Sequence, residues 1–244
     1  MGPSDLFDTY SLRARYLPAL LVVAAPAAEV WLLFPKLHER ISASLAALGA
    51  SVGIGLVLLF FVAHVLRARG RTVEKKLNEK NGGFPSTRWL RHRDLNLDPP
   101  TKARYHAFLT KHVGNLQLPT ESQEMNRPDF ADAQYRSAVN WLVNNMRDTT
   151  KYPLIFEENV NYGFRRNLLG GKWVGVGLCV LPVAAAALVQ FQSGNPARLL
   201  DVDAIAAALI ATLNSAGWLL LVTEAWVEDA SNAYARALLA ACES

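Results

Sequence analysis

The chain has 244 residues, 51% of them hydrophobic, with a net charge of +4. Its mean hydropathy of +0.12 averages two compositions, apolar runs and a charged middle, which excludes a water-soluble domain of even composition. The two cysteines, Cys179 in an apolar run and Cys242 in the tail, exclude a disulfide framework.

Four apolar stretches run from Leu17 to Phe34, Leu45 to Leu66, Trp173 to Phe191 and Ala204 to Val227. Each is near the length of about 20 residues that a helix needs to cross a bilayer core. Residues 1–15 carry Asp5, Asp8, Arg13 and Arg15, and no small-residue cleavage site follows, so the first stretch is expected to stay as a spanning helix and not to act as a signal peptide. Of the 25 Lys and Arg residues, 19 lie between Arg67 and Lys172, in the polar segment separating the second and third stretches. Arg13 and Arg15 precede the first helix, Arg67, Arg69 and Arg71 follow the second, and Arg165, Arg166 and Lys172 precede the third. Of Lys and Arg, the two short connections, Pro35–Ser44 and Gln192–Asp203, hold only Lys36, Arg40 and Arg198. The positive-inside rule therefore predicts both termini and the middle segment on the cytosolic side.

Small residues recur along three of the spans. Gly49, Gly53 and Gly55 mark the second, Gly171, Gly175 and Gly177 the third, and Ala204, Ala211, Ser215 and Gly217 the fourth. Such faces let helix backbones approach closely, within one subunit or between subunits. Polar side chains at membrane depth are costly and so informative. Glu29 lies toward the outer part of the first helix and Asn214 near the middle of the fourth. His64 and Glu224 lie near the cytosolic ends of the second and fourth, at similar depth, where they can pair. Two readings stay open: groups marking helix ends and interfaces, or a polar path lined by Glu29 and Asn214. Pro18, Pro26 and Pro182 are expected to kink helices or occupy first turns. Trp31, Trp173, Trp218 and Trp226 read as interfacial anchors.

The middle segment reads as helical. The second spanning helix is expected to continue through Arg67–Lys80 and stop at Asn81-Gly82-Gly83. A short helix capped by Ser86 or Thr87 follows, with Trp89 to Arg93 inside it. Asp98-Pro99-Pro100 opens a helix over Thr101–His112, closed by Gly114. Leu116–Arg127 reads as a polar loop, Pro128–Thr149 as a longer helix, and Leu154–Leu169 as a piece feeding the third span.

Two clusters stand out. Arg88, Arg91, His92 and Arg93, followed by Lys102, Arg104 and His106, with Lys111 and His112 close behind, form a basic patch beside Trp89 and Tyr105. Such a patch holds the phosphates of a nucleotide, nucleic acid or lipid headgroup, or a protein partner; topology and anionic lipid alone also favour it. His92, His106 and His112 lack the spacing of familiar zinc sites, and the Arg-to-His spacings here depart from those of helical ribonucleases of the HEPN type. The second cluster places Glu157, Asn161 and Arg165 on one helix face and Glu158, Tyr162 and Arg166 on the next. It reads as a coupling collar above the third span or as a polar seam. Glu157 and Glu158 point about 100° apart on a helix, too divergent for a paired-carboxylate site.

The expectation is an all-α protein. A four-helix transmembrane bundle of two hairpins carries a helical cytosolic domain inserted between helices 2 and 3. Residues 1–66 form the first hairpin with its N-terminal segment, 67–172 the basic domain, and 173–244 the second hairpin and a cytosolic tail. This build resembles small multi-pass membrane proteins of bacterial anti-phage defence systems. The resemblance implies a homo-oligomeric inner-membrane sensor or effector that disturbs membrane permeability when a cytosolic protein or phosphate-bearing partner engages it. Richness in Ala, Arg and Leu also points to a bacterial source. No catalytic motif, metal site or cofactor is implied. Two alternatives remain: an ion channel or transporter working through Glu29 and Asn214, and a membrane-bound enzyme acting on lipid or RNA through His92, His106 or His112.

Overall fold

The computed structural model describes residues 8–42 and 45–243, so Asp5, and Ala43 and Ser44 at the end of the first connection, lie outside the described residues. Among the described residues every regular element is helical. The main helices are α1 (Leu17–Leu33), α2 (Pro35–Ser42), α3 (Leu45–Lys80), α4 (Pro85–Arg88), α5 (Pro99–His112), α6 (Glu121–Asn126), α7 (Pro128–Asn145), α8 (Pro153–Gln192), α9 (Val202–Leu220) and α10 (Glu224–Ala240). Four of the helical segments, Thr9–Leu33, Gly49–Arg88, Pro153–Gln192 and Val202–Leu220, are long and apolar enough to cross a membrane.

The chain forms two compact units, Met1–Glu74 with Gly163–Trp226, and Lys75–Tyr162 with Val227–Ser244. In the first unit α9 packs on α1, and the apolar core gathers Ala19, Val22, Ala63, Leu66, Leu168, Trp218 and Val222. Glycine sets the closest approach. A Cβ on Gly170 would run into the backbone of Arg69 and Gly70, one on Gly171 into Leu66, and one on Gly175 into the Trp218 ring. The helices α3 and α8 therefore touch backbone to backbone, as small residues allow. Gly49, Gly53, Gly55 and Gly177 face open space. Around the first three, Val52, Ile54, Leu56 and Phe61 are exposed, an apolar surface of the kind lipid or another apolar helix covers.

The fourth apolar stretch is not one helix, contrary to the expectation that it runs to Val227. Helix α9 stops at Leu220, and α10 starts at Glu224. Lys172 Nζ donates to the carbonyls of Leu219 (3.1 Å) and Val222 (2.9 Å), satisfying carbonyls that the helix end leaves open. Thr223 Oγ1 accepts from Trp226 N (3.2 Å), opening the next helix as a capping hydroxyl does.

In the second unit α5, α7 and α10 enclose a core of Trp89, Leu90, Tyr105, Leu109, Tyr135, Leu142, Leu238 and Leu239. What reads as a tail is thus a core helix of this unit. The end of α3 falls where expected: Gly83 N bonds Asn78 O and Gly82 N bonds Glu79 O, a Schellman closure with both glycines at positive φ. Asp98 caps α5 by accepting from Thr101 N (2.9 Å). Three details differ from the sequence reading. Helix α4 has Phe84 at its N-cap and Pro85 in its first turn, with Ser86 and Thr87 buried inside it, and it ends at Arg88, so Trp89 to Arg93, expected inside it, form the turn that follows. The expected loop Leu116–Arg127 contains α6, opened by a reciprocal Thr120–Gln123 capping box. Helix α7 ends at Asn145, beyond which Asp148 Oδ1 accepts from Thr150 N and Lys151 N and turns the chain.

Candidate functional site

The basic patch is woven into the second unit. The Arg91 guanidinium makes a bidentate pair with Asp132 (both bonds 2.8 Å) and donates to the Gly82 carbonyl (2.8 Å). It is 8% exposed. Lys102, 7% exposed, donates to the carbonyls of Arg91 (2.6 Å) and Asp94 (2.5 Å), capping the turn after α4. Burial pulls its ammonium below the ordinary lysine value, with Asp94 and Glu124 opposing. Glu124, 4% exposed, accepts from His92 N and Tyr135 Oη, both at 2.8 Å. Burial pushes this carboxyl up, but the hydrogen bonds from the His92 amide, Tyr135 and the Arg93 amide hold it below its ordinary value.

The three histidines do not converge. His92 and His106 meet edge to face with centroids 5.2 Å apart, their Nε2 atoms bonded to the carbonyls of Pro119 and Leu90 (2.8 Å each). His112 stacks apart on Phe108 and bonds its carbonyl through Nδ1 (2.8 Å). Burial holds His106 below the usual imidazole range. Among the described residues no cluster of three His, Cys, Asp or Glu could hold a metal ion. Arg104 binds Glu243 (2.7 Å) near the chain end. Arg93 turns outward, its side chain 65% exposed and 3.7 Å from Glu124.

Arg88 opens onto a cleft of about 110 Å³ in the second unit. Its walls carry Asn78 and Asn81 at the end of α3, Tyr162 from α8, and Glu228, Ser231 and Asn232 from α10. Asn81 Nδ2 donates to Glu228 Oε1 (2.9 Å), Arg88 donates to the Asn81 carbonyl (2.8 Å) and pairs with Asp94 (3.5 Å), and Tyr162 stacks parallel to Tyr234. The cleft offers one guanidinium, one carboxylate, a phenol, a hydroxyl and three amides. Amides both donate and accept, so the set suits a ligand with several hydrogen-bonding edges and one anionic group. Glu228, Ser231 and Asn232 escape sequence reasoning because α10 reads as tail. The Asn-Gly-Gly stop beside Arg88 was the one local signal.

The collar residues divide between the units. In the second, Asn161 Nδ2 donates to Glu158 Oε2 (3.5 Å). In the first, Arg166 Nη1 donates to both carboxyl oxygens of Glu74 (2.9 Å each), joining α3 and α8, and Arg165 donates to the Trp226 carbonyl (2.9 Å) while lying over its ring. Within the first unit Asn214 Oδ1 accepts from Cys179 Sγ (3.1 Å) and Trp218 Nε1 (2.7 Å). His64 Nδ1 bonds the Phe60 carbonyl of its own helix (2.9 Å), and Glu224 is exposed at the start of α10. Glu29 is 0% exposed, with neither carboxyl oxygen hydrogen-bonded. No family model matches the chain, and neither a curated protein nor a solved structure matches it.

Proposed function

We propose that the protein is an oligomeric sensor–effector of the bacterial inner membrane, its basic helical domain inserted between two transmembrane hairpins and facing the cytosol with both termini. The clustering of Lys and Arg between Arg67 and Lys172 supports that orientation. One observation carries the functional reading. Helices α3 and α8 have 36 and 40 residues, about 54 and 60 Å at 1.5 Å per residue, against a bilayer core of about 30 Å. Each continues as helix from an apolar stretch to a polar end. Those ends supply Asn78 and Tyr162 to the Arg88 cleft.

A ligand held there touches the rods that cross the membrane, and differential affinity for two rod arrangements would shift their populations. The ligand class that fits is a phosphate-bearing small molecule, its anion at Arg88 and its body on the amides. The uncovered Gly49–Gly55 face supports association with further copies. By its resemblance to anti-phage membrane proteins, the assembly would alter membrane permeability when the ligand binds, with Arg165 and Arg166 in the collar passing the change to the bundle.

Native mass spectrometry of the detergent-extracted protein tests this. A ring-sized homo-oligomer retaining a phosphate compound is expected. The compound should be lost in Arg88→Ala and in Asn232→Asp, which sets a second carboxylate beside Glu228. Arg165→Ala and Glu158→Ala should keep membrane insertion and lose activity. A clean monomer without ligand refutes the reading.

A further inference from the structure

Glu29 is a buried carboxyl of the first unit that this reading leaves unused. It is fully buried on α1, within a segment apolar enough to span a membrane, and both its oxygens lack a hydrogen-bond partner. A bare carboxylate shielded from water in such a place is prohibitively unfavourable, so the group must hold a proton or a cation. A polar cleft of about 110 Å³ opens at the Leu33 end of α1, lined by Leu32, Leu33, Ala186, Gln190, Asp201 and Asp203. Leu32 and Leu33 sit three and four residues beyond Glu29 on the same helix face, so Glu29 stands about one turn along α1 from residues that line the cleft.

Helix α9, which packs on α1, enters the cleft at Ala204 and carries Ala207, Ala211, Asn214 and Ser215 below it on the same face, with Asn214 bonded to Cys179 of α8. Ser215 Oγ is a second buried polar atom without a partner. Below it Trp218, packed on Gly175, closes the stripe. The charged groups gather at the Leu33 end: Asp201, Asp203 and Arg198 stand at the cleft, and α2, packed on that end of α1, carries Lys36, Glu39 and Arg40; on α8 the one titratable group between Trp173 and Gln192 is Cys179. Between Ala204 and Leu220 on α9, and between Gly49 and Ala63 on α3, there is none.

We infer that Glu29 is a proton-binding site inside the membrane unit, loaded and unloaded through the cleft at the Leu33 end of α1. With no cation paired to it among the described residues and both oxygens free, a proton is the smallest ligand that neutralises the carboxyl in place. The site adds a proton-linked step to the bundle, independent of what the Arg88 cleft binds.

The test is labelling of the full chain in liposomes with dicyclohexylcarbodiimide, an apolar reagent that modifies protonated carboxyls within membranes, with the modified residue located by peptide mass spectrometry. An adduct on Glu29 at pH 7 is expected, absent in Glu29→Gln and unaffected by sodium chloride. Its rate should fall about tenfold per pH unit once the pH exceeds the proton affinity of the site. Protection by sodium would overturn the proposal in favour of a metal-cation site. Absence of the adduct between pH 5 and pH 9 would show that the carboxyl carries no accessible proton.

Discussion

Substituting Gly170 by Ala isolates the physics of the α3–α8 contact. The added Cβ would lie 2.7 Å from the Arg69 carbonyl carbon and 2.8 Å from Gly70 Cα, and closer still to Gly70 N. Carbon atoms pack at about 3.5–4.0 Å, so the helices must part by about 1 Å. The atoms it meets are backbone and a Cβ has no rotamer, so no side-chain movement relieves the clash. Overpacking of this kind costs about 1–3 kcal/mol, with the rigid neighbours here favouring the upper end. Ala gains up to about 1 kcal/mol over Gly in helix propensity, leaving a net loss of about 2 kcal/mol. Gly177 is the internal control: it lies in the same helix with nothing within 4 Å of a built Cβ, so Gly177→Ala keeps the gain without the clash. The difference between the variants, about 3 kcal/mol, corresponds to about 6–12 °C in Tm for a chain of this size. Thermal unfolding in detergent, followed by far-ultraviolet circular dichroism and indole fluorescence, measures it. Equal Tm values for the two variants would show that the backbone contact at Gly170 is not formed.

The second unit should lose stability in two acid steps. His106 sits below its ordinary value because it is buried, so the unfolded chain takes up that proton first and stability drops as the pH falls through about 6.5; His106→Gln should erase this step in a circular-dichroism titration. Glu124 is held below its ordinary value, so its contribution is full above about 4.5 and disappears as the pH falls through the lower folded value; Glu124→Gln should remove that second dependence. Tyr135→Phe deletes a 2.8 Å donor to Glu124 and should cost about 1.5–3 kcal/mol at pH 7; an unchanged urea midpoint would mean that the carboxyl is not charged there. Cys242, its thiol pushed up to about 12 chiefly by burial, should resist maleimide at neutral pH until the second unit unfolds; rapid labelling of the folded protein would contradict its placement in the core.

Helix positions were largely legible, because apolar length and local stop signals are properties of contiguous residues. The four membrane-length segments, the Asn81-Gly82-Gly83 closure and the Asp98 cap can all be read from neighbours in sequence. The Thr120–Gln123 box was equally local, but its polar surroundings read as loop. The break at Leu221–Thr223 was hidden because hydropathy runs through it; it depends on Lys172, distant in sequence, reaching the end of α9.

What a charged side chain does is a tertiary matter. Sequence marked Arg91, Lys102 and His92 as basic, and the fold sets them against Asp132, backbone carbonyls and Pro119, partners that no spacing rule supplies. The Arg88 cleft exists because α10 returns to the second unit. That the chain is helical and has segments able to span a membrane follows from its residues read in order, since helix formation and lipid partition depend on composition within one segment. Which glycines touch, which cations are spent internally and that Glu29 is left without a partner follow from the packed fold, because burial and pairing depend on residues far apart in the chain.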